Sequence, residues 1–140
     1  MKHLLQNLEN GETTIIDIPA PEVEDGHLLI ETTVSLVSPG TEKMLIDFGN
    51  AGYLKKITQQ PDKVKKVLDK VKTDGLLSTY EAVKSKLNMP ISLGYCNVGK
   101  VIGIGNGVKG FSIGDRVASN GCHAEIVSVP TNLCVPIPDN

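Results

Sequence analysis

Six glycines stand between Val98 and Val117, at positions 99, 103, 105, 107, 110 and 114. No α-helix tolerates that spacing, since each interior glycine costs about 1 kcal/mol relative to alanine. The residues between them (Val101, Ile102, Ile104, Val108, Phe111, Ile113) are β-formers, so the segment reads as strands and turns. Part of it, Gly105-Asn106-Gly107-Val108-Lys109-Gly110, also spells G-x-G-x-x-G. That pattern cradles a pyrophosphate when its first glycine ends a strand and its third opens a helix. "GKVIGIG" supplies the strand, but "VKGFSIGDRVAS" supplies no helix. Asn106-Gly107 is the strongest short hairpin signal, through a type I′ turn with positive φ at both central residues. The expectation is therefore a reversal joining two antiparallel strands, not a nucleotide cradle.

The same β reading extends to both ends of the chain. β-branched runs cover Ile15–Ile18 and Leu28–Val37, separated by the turn-forming "PAPEVEDG". Further β runs fall at 98–104, 115–118, 124–129 and 133–137. The middle has another period. Pro61 suits a first helical position, and Val64, Val67, Leu68 and Val71 follow at helical spacing. Asp74-Gly75 breaks that helix. A second pattern aligns Leu76, Tyr80, Val83 and Leu87 and stops before Pro90. A helical insertion of about residues 51–90 thus interrupts a β protein, α+β by content.

At 140 residues the chain has the length of one domain with a core of its own, built on Val, Ile and Leu because aromatics are 4% and tryptophan is absent. The net charge of −2 gives no reason to expect nucleic acid. It is unevenly spread. Residues 51–90 hold nine lysines against four acidic residues, a net of +5, and the remainder carries −7. Two readings of those lysines stay open: a solvated helix face, or a surface for an anionic substrate, partner or neighbouring domain. Cys96, Cys122 and Cys134 are odd in number and lack C-x-x-C spacing. With no signal peptide or long apolar run, they are expected to be reduced thiols of a cytoplasmic protein, with no membrane partner.

The last third carries a resemblance. Gly94 to Gly99, Phe111-Ser112-Ile113-Gly114-Asp115-Arg116-Val117, Ala124-Glu125 with Val129-Pro130, and Pro138-Asp139 follow in order a pattern of the medium-chain dehydrogenase/reductase superfamily. The match is to that superfamily's N-terminal, GroES-like domain. The resemblance implies a GroES-like, partly open β-barrel across residues 1–140. It implies NAD or NADP as cofactor, bound mainly by a nucleotide-binding domain, in cis or in trans, that these residues do not contain.

Departures from the family pattern bear on the chemistry. Zinc-containing members carry a ligand Cys in a G-x-C-x-[ST]-D loop and a ligand His in G-H-E. Here the corresponding loop is "SLVSPGTEKM", with Ser38-Pro39 at the Cys position, Thr41 at the Ser/Thr and Glu42 at the Asp. Tyr95 stands at the His and Cys96 at the Glu. A catalytic zinc needs three ligands and an open position, so none is expected. Cys96, Cys122 and His123 are the remaining donors for any alternative site.

The resemblance places Tyr95 and Thr41 beside the nicotinamide and makes them the catalytic candidates. Tyr95 would supply a proton or hydrogen bond in place of a Lewis acid; alternatively it fills the volume left by His and metal. Thr41 is either a second polar group of the site or a cap of its turn. Ser38, Gly40 and His123 are implied to border the cofactor, with a packing role for His123 as the alternative. Glu42 is expected to bond the amides of its own loop.

The "SPGTE" loop, "LGY" and the lysine-rich insertion also resemble a narrower group of zinc-free, two-domain bacterial oxidoreductases. That likeness implies a small substrate, anionic or sugar-related. The functional expectation is the substrate-binding, catalytic-side domain of a zinc-independent NAD(P)-dependent oxidoreductase. The alternative is a non-catalytic interaction module built on the same barrel.

Overall fold

The computed structural model describes residues 1–52, 55, 56, 58 and 61–138. In chain order the elements are β1 (Lys2–Gln6), β2 (Thr13–Asp17), β3 (His27–Ser35), α1 (Thr41–Asn50), α2 (Pro61–Asp74), α3 (Leu76–Asn88), β4 (Ile91–Ser92), β5 (Asn97–Ile104), β6 (Arg116–Ser119), β7 (Ile126–Pro130), a 3₁₀ turn (Thr131–Leu133) and β8 (Cys134–Pro136). The expected strands are all present, within a residue or two at their ends.

The chain divides into two compact units. The first comprises Met1–Leu5, Thr14–Glu42 and Ser92–Asn140. It is organised by an antiparallel five-stranded sheet in the order β7-β3-β5-β6-β8. A three-stranded sheet, β2-β1-β4, meets it through the isolated bridge His3↔Ala124, and the sheets remain open rather than closing into a barrel. Alternation along the strands builds the core. Leu28 pairs with Val129, and Ile30 with Val127 on one side and Val101 on the other. These residues, with Val117 and Ala124, form the buried cluster. The fold is the α+β, GroES-like, partly open arrangement that the sequence resemblance implied.

Glycines 105–110 lie in the connection between β5 and β6, which pair antiparallel from Asn97↔Ser119 to Lys100↔Arg116. Strand β6 follows them where a nucleotide cradle would need a helix. The turn type differs from expectation. Gly107 has φ +80°, but among the described residues no non-glycine has positive φ, so Asn106 does not. With Val108 N–H donating to Gly105 O at 3.4 Å, this is the pattern of a type II turn. A tight type I′ reversal is unnecessary because the connection is long: it brings Phe111 against the core before Val101 and Asp115 resume pairing. Gly105 itself is needed for close approach, since a Cβ there would lie 1.8 Å from the carbonyl oxygen of Glu24. The Gly26 N–H donates to Asn106 O and the Asn106 side-chain amide to Asp25, both at 2.8 Å.

The second unit comprises Gln6–Thr13 and Lys43–Ile91. Helices α2 and α3 form a hairpin through Gly75, which takes φ +87°. Val64, Val67 and Val71 are half-buried as the α2 spacing predicts, but Leu68, expected on the same face, is exposed, and no residue of α2 is fully buried. On α3 the expected face is corrected. Leu76 and Tyr80 are exposed (73% and 57%), while Thr79 is buried and Ala82, Val83 and Leu87 are half-buried. Thr79 can point inward because its hydroxyl donates to the Gly75 carbonyl at 2.8 Å, within its own helix. Lys56, one of the insertion's nine lysines, is also buried. Its ammonium donates to Leu8 O (2.8 Å) and Glu9 O (2.7 Å) and lies 5.8 Å from the centre of the Phe48 ring.

Candidate active site

Three segments of the first unit converge at the end of β3. The loop 36–40 leaves β3 and enters α1, the stretch Gly94-Tyr95-Cys96 leads into β5, and residues 120–125 lead into β7. Backbone bonds stitch them together: Leu36 N–H to Cys96 O (3.0 Å), His123 N–H to Leu93 O (2.8 Å) and Thr32 N–H to Glu125 O (2.8 Å). Buried side chains add a second layer. The Asn97 amide donates to Thr32 Oγ1 at 2.7 Å, and that hydroxyl donates to Ala124 O at 2.6 Å.

On this frame the Tyr95 hydroxyl donates to Thr41 Oγ1 at 3.4 Å, and the Tyr95 side chain stays 44% exposed. The phenol's pKa is held below its ordinary value by hydrogen bonds with the side chains of Ser38 and Thr41, against weaker opposing effects of desolvation, Glu42 and Cys96. Thr41 opens α1, so the "SPGTE" stretch is the entry to a helix rather than a free turn. Beside it, the backbone of Gly40 faces open space where a Cβ would stand.

Behind this loop lies a network that the sequence only half disclosed. Glu42 is almost fully buried, and its Oε1 accepts the Ser38 N–H at 2.8 Å, the expected loop-bracing role. Its Oε2 sits 3.0 Å from His123 Nε2, and His123 Nδ1 lies 2.7 Å from Ser35 Oγ. Burial pushes the Glu42 carboxyl up, but the Ser38 N–H and the bond and charge of His123 outweigh it, leaving it below its usual value. Gly94 makes room for the imidazole: it has φ +91°, and a Cβ there would come within 2.7 Å of His123 Cγ. The acid at Glu42 was legible as the counterpart of the Asp in the family's loop pattern. Its partner was not, because 81 residues separate the two.

The donors present do not fit a catalytic zinc. The ligand positions hold Ser38-Pro39 and Tyr95, and among the described residues no three of His, Cys, Asp and Glu converge. Cys122 lies 3.5 Å from His3 Nε2 instead, and burial pushes its thiol pKa up. A pocket of about 460 Å³, lined by His3, Pro19, Cys122 and Ser128 among others, does not include Tyr95, Thr41 or Ser38.

The sequence profile of the alcohol dehydrogenase GroES-like domain matches residues 67–139, just over half of the chain. The chain belongs to this family. No curated protein matches the sequence at a significant level. Solved structures that share the fold include galactitol-1-phosphate dehydrogenase from Escherichia coli (TM-score 0.65, 16% identity, 99% of this chain and 38% of that one). The quinone oxidoreductase from Coxiella burnetii aligns with TM-score 0.61 and 22% identity over 97% of this chain and 36% of that one. A quinone oxidoreductase from Thermus thermophilus, solved alone and with NADPH, aligns with TM-score 0.56 and 18% identity over 99% and 33%. This GroES-like domain therefore spans about a third of the length of these proteins. Among the described residues, no helix is long and apolar enough to cross a membrane.

Proposed function

We propose that this GroES-like domain is the substrate-binding, catalytic side of a zinc-independent NAD(P)-dependent oxidoreductase, with Tyr95 as the acting group. The observation that carries the reading is the exposed phenol, lowered in pKa and 3.4 Å from Thr41, at the position where zinc members of the superfamily place a ligand. The solved NADPH complex of a quinone oxidoreductase with this fold supports the choice of cofactor. A nicotinamide, when bound, would supply or take the hydride, and it would be held mainly by a nucleotide-binding domain in cis or in trans.

The chain's own residues do the rest. As a carbonyl oxygen gains negative charge, the Tyr95 hydroxyl donates to it and stabilises the oxyanion; in the reverse direction the phenol oxygen accepts the alcohol's proton. Thr41 and Ser38 orient the phenol and favour its ionised form. Ser38 and Gly40 border the cofactor, Gly40 by leaving space. His123 acts behind the loop, with both ring nitrogens engaged by neighbours. The excess of lysine in residues 51–90 suits an anionic or sugar-related small substrate. The three unpaired cysteines would suit a cytoplasmic setting.

Tyr95→Phe in the full-length protein tests this. Turnover should fall on the order of 10²–10³-fold, the usual cost of one such donor, while thermal stability stays unchanged. Equal turnover in the two proteins would remove Tyr95 from the chemistry.

A second reading, a non-catalytic interaction module, draws support from the α2–α3 hairpin, where Leu68, Leu76, Leu77 and Tyr80 are 57–73% exposed. It requires the full-length protein to lack NAD(P)-linked turnover with carbonyl or alcohol substrates, including sugar derivatives. Such turnover would exclude it.

A further inference from the structure

We propose that His123 is a positioning residue: through Glu42 it fixes the Ser38–Thr41 turn, and with it the hydroxyls that face the Tyr95 phenol. The inference rests on Tyr95 being the acting group.

The geometry is a three-point anchorage. Ser35 Oγ, at the end of β3, lies 2.7 Å from His123 Nδ1. The His123 backbone N–H is held by Leu93 O at 2.8 Å, beside Gly94, whose missing side chain leaves space for the ring. The remaining nitrogen, Nε2, meets Glu42 Oε2 at 3.0 Å, with both side chains over 90% buried. Glu42 then closes the turn on itself. Its backbone N–H donates to Ser38 O at 3.1 Å, and its Oε1 accepts the Ser38 N–H at 2.8 Å. Ser38 and Thr41 lie inside this ring. Their positions relative to Tyr95 thus depend on a carboxylate whose other oxygen is held from the sheet side by one imidazole.

Without the imidazole, one oxygen of a buried carboxylate loses its partner, and the turn must open to hydrate it. The ionisable groups acting on the phenol are Glu42 and Cys96, and both oppose its ionisation, whereas the Ser38 and Thr41 hydroxyls favour it. The group facing His123 is Glu42, with the neutral Ser35 on its other side. Slackening the turn removes the favourable contacts and leaves the unfavourable charges nearby.

The Tyr95 phenolate can be read by ultraviolet titration, since the chain has three tyrosines and no tryptophan. In the 140-residue chain carrying Tyr53→Phe and Tyr80→Phe, the absorbance then reports Tyr95 alone. Thr41→Val calibrates the assay by removing one hydroxyl contact directly. His123→Ala should move the titration midpoint upward at least as far as Thr41→Val does, and His123→Gln, which retains one bonding arm, should recover part of that shift. An unchanged midpoint in folded His123→Ala would overturn the proposal. If His123→Ala does not fold, Ser35→Ala takes its place: an upward shift supports the proposal and an unchanged midpoint refutes it. The titration needs neither substrate nor cofactor. An inert Tyr95→Phe substitution in turnover assays would instead defeat the catalytic reading, whatever the titration shows.

Discussion

Glu42 makes the stability of the Tyr95 site depend on pH. Its carboxyl lies below the ordinary 4.5 in the folded state, so the unfolded chain binds its proton first as pH falls. The stabilisation is fully present above 4.5 and is lost as pH drops through the lower, folded value. The urea midpoint of the wild type should therefore decline on acidification below that point, and Glu42→Gln should flatten the Glu42 contribution to that decline. Glu42→Ala, which strips one partner from a buried pair, should cost about 3–5 kcal/mol at neutral pH. Lys56→Ala should cost about 1–3 kcal/mol, because two backbone carbonyls lose their donor and Phe48 loses its cation. Sequence reasoning reached the residue types at 38, 41, 42 and 95 through a family pattern. It could not reach the pairing of Glu42 with His123 or the burial of Lys56, because both are long-range contacts of polar residues that periodicity leaves on the surface.

At the scale of elements, the glycine-rich connection separates two kinds of glycine. Gly105→Ala drives a Cβ into the Glu24 carbonyl and should cost about 1–3 kcal/mol or more. Gly107→Ala meets no atom within 4 Å and bears only the strain of φ +80°, roughly 1–2 kcal/mol. Urea unfolding of the two variants should rank them in that order. Strand β3 was legible as a β-branched run over Leu28–Val37. Ile30→Ala, at the centre of three paired strands, should cost about 2–5 kcal/mol. The orientation of α3 was not legible: a leucine–tyrosine stripe outranks a threonine on any hydropathy scale, yet Thr79 satisfies its own hydroxyl and packs inward. Helix α1 was missed for a related reason. Ser-Pro-Gly announces a turn, and the helix begins immediately after it.

For the whole molecule, the expectations concern what the domain holds by itself. Calorimetric titration of the 140-residue chain with NAD(H) should show no micromolar binding, because its G-x-G-x-x-G run leads into a strand. Metal analysis after chelator-free purification should give zinc well below one equivalent. Stoichiometric zinc lost on Cys96→Ser or His123→Ala would reveal an alternative donor set. The overall fold was readable because glycine spacing and β alternation agree with a long ordered motif. The helical insertion was foreshadowed by the change from period 2 to period 3.6 and by the sign of the charge, but not that the second unit also takes in Gln6–Thr13 and begins at Lys43. What neither signal conveyed was how little apolar surface the α2–α3 hairpin buries.

The type II turn at Asn106-Gly107 also offers one place where the protein can age in storage, besides Asn10-Gly11 and Asn120-Gly121. Both residues are exposed, and a glycine after asparagine offers least hindrance to attack of the backbone nitrogen on the side-chain amide. Here that amide is tethered to Asp25 at 2.8 Å, which holds it in one rotamer. Once deamidation converts Asn106 to an acid, the tether becomes two carboxylates face to face, and the 24–27 loop is pushed away from the connection it braces. Deamidation at Asn106 would thus strike a clasp between segments about eighty residues apart in sequence, loosening the sheet edge beside it.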